Sequence, residues 1–169
     1  LTVLSCLVLV SLVIGVFVYS IVSPKELTKD EYKDLKFYEL SAPRQLTEFR
    51  LQSGTEVFKQ TNLLEKWHLV FMGFASCPDM CPMTMAKMKK TSNLLAERNI
   101  QLRDKINFMI VSVDPDRDTP ELIDRYAKSF DSSFIGVSGD IGTIYTLATQ
   151  LTLPFVPVVD SKRTDYDMD

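Results

Sequence analysis

The hydrophobic pattern divides the chain sharply after its first 23 residues. The run LTVLSCLVLVSLVIGVFVYSIVS contains no charged residue, whereas all 19 basic and 22 acidic residues follow it. At a rise of about 1.5 Å per residue, a helix of this length crosses a hydrocarbon layer of roughly 30 Å. A signal peptide would carry a shorter apolar region of about 7 to 15 residues. We therefore predict a retained transmembrane anchor over residues 1–23, in which Cys6 is a small membrane-embedded hydrophobe.

A charged segment separates the apolar run from the rest of the chain. Pro24 is expected to end the helix, and the residues after it carry charges of both signs without a sustained apolar face. These features predict a tether over residues 24–36. Because no internal repeat or low-complexity segment follows, residues 37–169 are expected to form one domain. Alternating polar and apolar positions around Ser53-Gly54 predict a hairpin near its entrance.

The domain alternates between apolar runs and amphipathic segments. Strands are predicted at 67–74, 106–113 and 134–137, and helices at 82–98, from Thr119 to about Phe130 and from Gly139-Asp140 to about Gln150. The strand Trp67–Phe74 is almost continuously apolar, as expected of a central strand covered on both faces. Strands alternating with helices imply a parallel sheet, so the predicted fold class is an α/β sandwich. We expect its C-terminal part to be missing after Asp169.

Composition narrows the class of protein. The chain has 169 residues, of which 46% are hydrophobic and 24% are charged, values that fit a globular protein with one core of ordinary size. A formal net charge of -3 argues against a nucleic-acid-binding surface. The sequence also contains no glycine-rich phosphate loop and no serine nucleophile motif.

Two cysteines in the segment FASCPDMCPMTM carry the clearest candidate chemistry. Cys77 and Cys81 lie four positions apart, between a predicted strand and a predicted helix. Their thiols can converge near the helix N-terminus, where the helix dipole favours thiolate over thiol. A thiolate attacks disulfides and is also a soft ligand that selects Cu(I), so the spacing leaves disulfide exchange and metal binding both open. Inert buried cysteines are less favoured, because ligands usually bind at this edge of a sheet.

Other metal-binding side chains are few near this pair. Zinc normally requires four Cys and His ligands, and outside the apolar run the chain offers only the two cysteines and His68. His68 lies inside a predicted strand and is interpreted as structural. Four methionines offer further soft ligands: Met80, Met83, Met85 and Met88. The helical spacing of Met85 and Met88 predicts core positions for them, whereas the role of Met80 in the loop is left open.

Three aspartates alternate in the loop after the second long strand. Asp114, Asp116 and Asp118 could suggest a site for a hard metal ion. Pro115 and the helix that follows predict instead a turn and a helix cap, with Thr119 as the capping residue. The glycine and the terminal glutamate of a calcium-binding loop are absent.

The order of these motifs resembles the Sco/SenC family of membrane-anchored, thioredoxin-like copper proteins that assist the assembly of cytochrome c oxidase. The resemblance is carried by the apolar strand Trp67–Phe74, then CPDMCP from Cys77 to Pro82, and then VSVDPDRDTP from Val111 to Pro120. It extends from the anchor to Asp169. It implies a thioredoxin-like sheet, although thioredoxins place two rather than three residues between their cysteines.

The resemblance also implies a ligand set and partners. It implies that Cu(I) or Cu(II) is bound by Cys77, Cys81 and a histidine from a later hairpin. That histidine is expected just beyond Asp169, after the segment Tyr166–Asp169, and His68 does not take its place. The implied partners are the copper-bearing subunit of cytochrome c oxidase and an upstream copper donor or thiol reductant.

Two functions remain open at this point. The first is a copper chaperone for the binuclear copper centre of the oxidase. The alternative is a membrane-tethered thiol-disulfide oxidoreductase, in which Cys77 attacks a partner disulfide and Cys81 resolves the mixed disulfide. A peroxidase of related fold fits the paired motif less well. By analogy with the family, the domain is expected to face the periplasm or the mitochondrial intermembrane space from an inner membrane.

Overall fold

The computed structural model describes residues 2–22, 42–153 and 155–156, together with positions 31, 34, 35, 37 and 40. The chain divides into two compact units, Leu1–Pro43 and Arg44–Asp169. Most of the predicted tether and the C-terminal segment 157–169 lie outside the described residues. The predicted domain boundaries therefore stay predictions.

The first unit contains one long helix, α1, which spans Thr2–Val22. Its composition is apolar and includes no acidic or basic residue in the first or last turn. The large apolar side chains from Leu7 to Tyr19 are each more than half exposed. Among the residues that the structure describes, no helix is both long enough and apolar enough to span a membrane.

The predicted hairpin around Ser53-Gly54 is confirmed near the start of the second unit. Strand β1 spans Arg50–Ser53 and pairs antiparallel with β2, which spans Glu56–Lys59. The turn requires a left-handed backbone at Gly54, where φ is 55°, and glycine adopts this conformation without steric cost. A short 3-10 helix over Gln60–Leu63 follows the hairpin.

Three parallel strands form the main sheet in the described part of the chain. They are β3 over Trp67–Gly73, β4 over Ile106–Ser112 and β5 over Ile135–Val137, in the spatial order β3-β4-β5. The expectation of a central first strand covered on both faces is therefore wrong for the described residues. Strand β3 lies at an edge, with Trp67 75% and Leu69 47% exposed, and the central strand is β4. An apolar run does not reveal which strands pair with it. The pattern alone therefore could not decide whether β3 or β4 is the central strand.

The three predicted helices occur close to their expected positions, as α2 over Met80–Arg98, α4 over Pro120–Phe130 and α5 over Ile141–Gln150. A short helix that was not predicted, α3, spans Ile100–Arg103. The predicted cap at Thr119 is confirmed, because its side chain accepts the N–H of Leu122 in the first turn of α4. Asp140 caps α5 in the same way, by accepting the N–H of Thr143. Helix α2 begins two residues before the predicted Pro82.

Two hydrophobic clusters build the core. One contains hairpin residues with Met109, Val111 and Ile144, and the other contains residues of α2 and α4 with Phe108 and Ile110. Met85 and Met88 belong to the second cluster, with exposures of 0% and 5%, which confirms their predicted core positions. Helix α2, which begins at the cysteine loop, is thereby held against α4.

An ion pair also joins the middle of α2 to the residue that follows α4. Lys89 Nζ on α2 lies 2.8 Å from Asp131 Oδ2, directly after α4. Burial opposes ionisation of Asp131, but hydrogen bonds from Lys89 and Ser133 outweigh it and lower the carboxyl pKa to about 2. Because this pKa lies below the ordinary 3.8, the stabilisation is present above pH 3.8 and is lost as the pH falls toward 2.

Lys89→Ala is expected to lower the free energy of unfolding by about 0.5–1 kcal/mol at pH 7, because the ion pair is partly exposed. Urea unfolding at pH 7 and in acid measures the effect. Lys90→Ala is the matched control, since the described residues provide no ion pair for this exposed neighbour. An equal loss in both variants, or a loss that persists below pH 2, would contradict the assignment.

Candidate functional site

The cysteine loop connects the end of β3 to the first turn of α2. The N–H of Cys77 donates to the carbonyl oxygen of Phe74 at 3.4 Å, which closes a tight turn. The capping position of α2 is Asp79, whose side chain makes no capping hydrogen bond. The sulfur of Cys77 accepts the backbone N–H of Cys81 at 3.3 Å instead. The sulfur of Cys77 therefore takes the place of the Ser or Asp oxygen that usually accepts a backbone N–H in the first turn of a helix.

The two thiols differ in exposure. Cys77 is half-buried, whereas Cys81 is only 4% exposed and lies on the buried face of α2. Gly73 makes room for the second sulfur, because a Cβ atom at this position would lie 3.1 Å from Cys81 Sγ and 2.6 Å from a ring atom of Phe71. No disulfide joins the two cysteines in this structure.

The environment of Cys77 favours its thiolate. Partial burial raises the pKa of this thiol, but hydrogen bonds outweigh that effect and leave the pKa below its ordinary value of 9.0. The donors are the thiol of Cys81 and the backbone N–H groups of Cys81, Asp79 and Met80. These backbone groups belong to the start of α2, where a negative charge is stabilised.

The environment of Cys81 favours its protonated thiol. Burial is the largest cause that raises its pKa, followed by the hydrogen bond with Cys77, and the pKa reaches about 11. The negative charges of Cys77 and Asp118 act in the same direction, against a smaller opposing effect of the backbone at Phe74. The pair therefore combines a half-buried thiol with a lowered pKa, Cys77, and a buried thiol with a raised pKa, Cys81.

A buried carboxylate, Asp118, accepts a hydrogen bond from the cysteine loop. The sequence did not indicate this contact. Asp118 is 1% exposed, and its Oδ2 accepts the N–H of Ala75 at 2.9 Å and the hydroxyl of Ser112 at 2.7 Å. Its backbone oxygen accepts the hydroxyl of Ser138 at 2.7 Å. Burial raises the pKa of Asp118, although the hydrogen bonds from Ser112 and Ala75 oppose that shift. Asp118 thus ties the cysteine loop to the ends of β4 and β5.

The turn predicted after Asp114 and the helix cap predicted at Thr119 are both confirmed. Asp118, between them, instead holds the cysteine loop. The carbonyl oxygen of Asp114 accepts the N–H groups of Arg117 and Asp118, which forms the turn. The Arg117 guanidinium pairs with the Asp114 carboxylate at 2.5 Å and lies 5.9 Å from the centre of the Phe74 ring. This contact joins the aspartate loop to the residue that opens the cysteine loop.

The four methionines divide by exposure. Met80 and Met83, in the first turn of α2, are 65% and 46% exposed, in contrast to the buried Met85 and Met88. Met80, which was expected in the loop, is the first residue of α2.

His68 lies at the opposite end of β3 from the cysteine loop. It lies five positions before Gly73, which corresponds to about 17 Å along a strand. Both of its ring nitrogens are buried and lack a hydrogen-bond partner among the described residues. Burial and the nearby charge of Lys66 lower its pKa.

Within the described ranges, no group of three or more His, Cys, Asp or Glu side chains could hold a metal ion. The segment Tyr166–Asp169, after which a histidine ligand was expected, lies outside those ranges. The described site therefore consists of two sulfur atoms at the start of a helix. Such a pair can bind a soft, low-coordinate metal ion or exchange a disulfide.

Comparison with known proteins places these features in a family. The model of the family described as SCO1/SenC matches residues 39–169. A SCO2-like protein of Rickettsia prowazekii is 31% identical over 139 residues, which cover 79% of this chain and 64% of that protein. The match includes both cysteines and the aspartate loop, since the family model spans them.

Solved structures share the fold. Apo Sco1 from Thermus thermophilus matches with a TM-score of 0.60 and 34% identity, over 67% of this chain and 63% of that one. Copper-bound ScoI from Arabidopsis thaliana matches with a TM-score of 0.57 and 29% identity, over 63% and 65%. The predicted α/β, thioredoxin-like fold is confirmed by these matches. The chain spans less than two thirds of the length of these three relatives.

Proposed function

Because this chain belongs to the SCO1/SenC family, we propose that it is a copper chaperone that binds copper through Cys77 and Cys81. Its recipient is the binuclear copper centre of cytochrome c oxidase. The observation that carries the proposal is the pair of cysteines at the start of α2, where Cys77 Sγ accepts the N–H of Cys81. The copper-bound state of a structural relative adds support.

The chemistry of the two sulfurs fits Cu(I). Thiolates are soft ligands that select Cu(I) over hard cations, and two of them suffice for a low-coordinate ion. Binding requires both thiols to lose their protons, so copper uptake releases protons to solvent. The lowered pKa of Cys77 eases the first deprotonation, whereas the raised pKa of Cys81 makes the second depend on the metal itself. In this proposal the third ligand is a histidine beyond Asp169.

The proposal includes a location and partners. Residues 1–23 anchor the protein in an inner membrane, and residues 24–36 tether the domain of residues 37–169 on the periplasmic side or in the intermembrane space. The uncharged, exposed apolar surface of α1 supports the anchor. The partners are the copper-bearing subunit of the oxidase and an upstream copper donor or thiol reductant.

Cu(I) titration of the full chain tests the copper site. Under anaerobic conditions and in competition with a chromophoric chelator, the reduced protein is expected to bind one Cu(I) tightly. Cys77→Ser and Cys81→Ser are each expected to lose tight binding. Cys6→Ser is the matched control, because it removes a thiol outside the site. Equal binding by all four proteins would refute the site.

The difference between the thiols favours a second candidate function, thiol-disulfide exchange. The Cys77 thiolate would attack a partner disulfide and form a mixed disulfide, and the released partner thiolate would take up a proton. Cys81 would then lose its proton and attack the sulfur of Cys77. This step forms the Cys77–Cys81 disulfide, releases the second partner thiol and transfers two electrons to the partner. A thiol reductant would regenerate the pair.

The reduction potential of the pair separates the two functions. A potential near that of the compartment, combined with Cu(I) binding too weak to compete with cellular thiols, would favour the reductase. Tight Cu(I) binding by the reduced pair would favour the chaperone.

A further inference from the structure

A buried hydroxyl without a hydrogen-bond partner among the described residues lies in the core that α2 and α4 share. Tyr126 is on α4, and it packs against the cluster that contains Met85 and Met88 from the buried face of α2. Cys81 lies on the same face, four residues before Met85. The Tyr126 hydroxyl oxygen is buried, and no described residue donates to it or accepts from it. A buried polar group without a partner is rare in native proteins and calls for a cause.

The hydroxyl is close enough to the cysteines to respond to their charge. Burial is the largest cause that raises the pKa of Tyr126 to about 12, and negative charges on Cys81, Cys77 and Asp118 raise it further. The effect of Cys81 exceeds that of Cys77. Among the two sulfurs, Cys81 is therefore the one to which the hydroxyl is more strongly coupled.

We propose that Tyr126 is a positioning residue whose hydroxyl donates a hydrogen bond to the sulfur of Cys81 when Cys81 is bound to Cu(I). This inference rests on the proposed copper-binding function. Uptake of Cu(I) forms two S–Cu bonds, breaks two S–H bonds and releases two protons to solvent, with no change in oxidation state. The sulfur of Cys81 then carries negative charge in a buried setting, where a donor stabilises it. The hydroxyl thus gains its partner in the copper-bound state.

The proposal predicts opposite effects of Tyr126→Phe on the two states, because this change removes only the oxygen atom. In the copper-free protein it removes an unpaired polar group, so the thermal unfolding temperature is expected to stay the same or rise. In the copper-bound protein it removes a charge-assisted hydrogen bond, so Cu(I) affinity is expected to fall about tenfold or more. Tyr145→Phe, on the exposed surface of α5, is the matched control and is expected to change neither.

A second measurement does not require copper. In a Cys77→Ser background, Cys81 is the remaining thiol of the site, and its thiolate is the form that reacts with iodoacetamide. Adding Tyr126→Phe is expected to slow this alkylation about threefold or more at fixed pH, because the thiolate loses its donor and its population falls by more than its nucleophilicity rises. Adding Tyr145→Phe is expected to leave the rate unchanged.

The outcomes separate this inference from the proposed function. Equal Cu(I) affinity of the wild-type and Tyr126→Phe proteins would overturn the inference. A loss of copper-free stability as large as the loss of affinity would also overturn it, because the hydroxyl would then have a partner before copper binds. If the wild-type protein fails to bind Cu(I), the proposed function fails, and the alkylation rates decide whether the hydroxyl serves the Cys81 sulfur.

Discussion

Iodoacetamide at pH 7 is expected to modify Cys77 at least about tenfold faster than Cys81. The pKa of Cys77 lies below 9.0 and that of Cys81 is about 11, so the thiolate fraction of Cys77 is greater by at least about 100-fold. The more basic thiolate of Cys81 is the better nucleophile once formed, which recovers roughly tenfold of this difference. The burial of Cys81, which is 4% exposed, widens the gap again.

Peptide mass spectrometry after timed quenching measures the two rates separately, with Cys6 followed as a third site. In urea, where the fold is lost, the two cysteines of the pair are expected to react at similar rates. Faster modification of Cys81 in the folded protein would contradict the assignment. It would mean that the start of α2 does not stabilise the Cys77 thiolate.

The same difference assigns an order of events in either proposed function. A copper ion or a partner disulfide that approaches from solvent meets the half-buried, more acidic Cys77 first. Cys81 then completes the copper site or resolves the mixed disulfide from its buried position. The order follows from the position of the thiols on α2, because one caps the helix and the other faces the core.

Local chemistry explains what the sequence could predict. Thr119 and Asp140 cap their helices through contacts three residues away, and such contacts are visible in a short window of sequence. The cysteine loop is equally local, since a strand, two prolines and an amphipathic helix follow one another directly. The spacing of Met85 and Met88 identified one buried face by periodicity alone.

Contacts between distant residues explain what the sequence could not predict. Asp118 reaches Ala75 across 43 positions, and nothing in the order of residues connects the two. The contact of Tyr126 with the cluster that contains Met85 and Met88 depends on how α4 packs against α2, and the room for Cys81 Sγ depends on Gly73 in another element. The position of β3 at the sheet edge depends on strand order, which an apolar pattern does not encode. Tertiary packing decides each of these features.

Asp118→Ala is expected to be the most damaging single change near the site, with a loss of about 2–4 kcal/mol in the free energy of unfolding. One oxygen of Asp118 accepts both the N–H of Ala75 and the hydroxyl of Ser112. Without it, a buried hydroxyl and a partly buried N–H lose their partner, and an unsatisfied buried donor costs about 1–3 kcal/mol. The cysteine loop also loses its link to β4, so the difference in alkylation rate between Cys77 and Cys81 is expected to shrink. Urea unfolding and the alkylation assay measure the two effects, with exposed Glu97→Ala as a control expected to stay within about 0.5 kcal/mol.

Asp118→Asn separates the acceptor from the charge, because an amide oxygen can accept the same two hydrogen bonds. Burial is the main cause that raises the pKa of Asp118 above 3.8, so the folded protein holds this proton more tightly than the unfolded chain does. The resulting stabilisation is complete below pH 3.8 and is lost as the pH rises through the folded-state pKa. The amide side chain of the variant cannot titrate, so the variant is expected to lack this decline and to stay far more stable than Asp118→Ala at pH 7. Equal damage by both substitutions would show that the negative charge, rather than the shared acceptor oxygen, holds the loop in place.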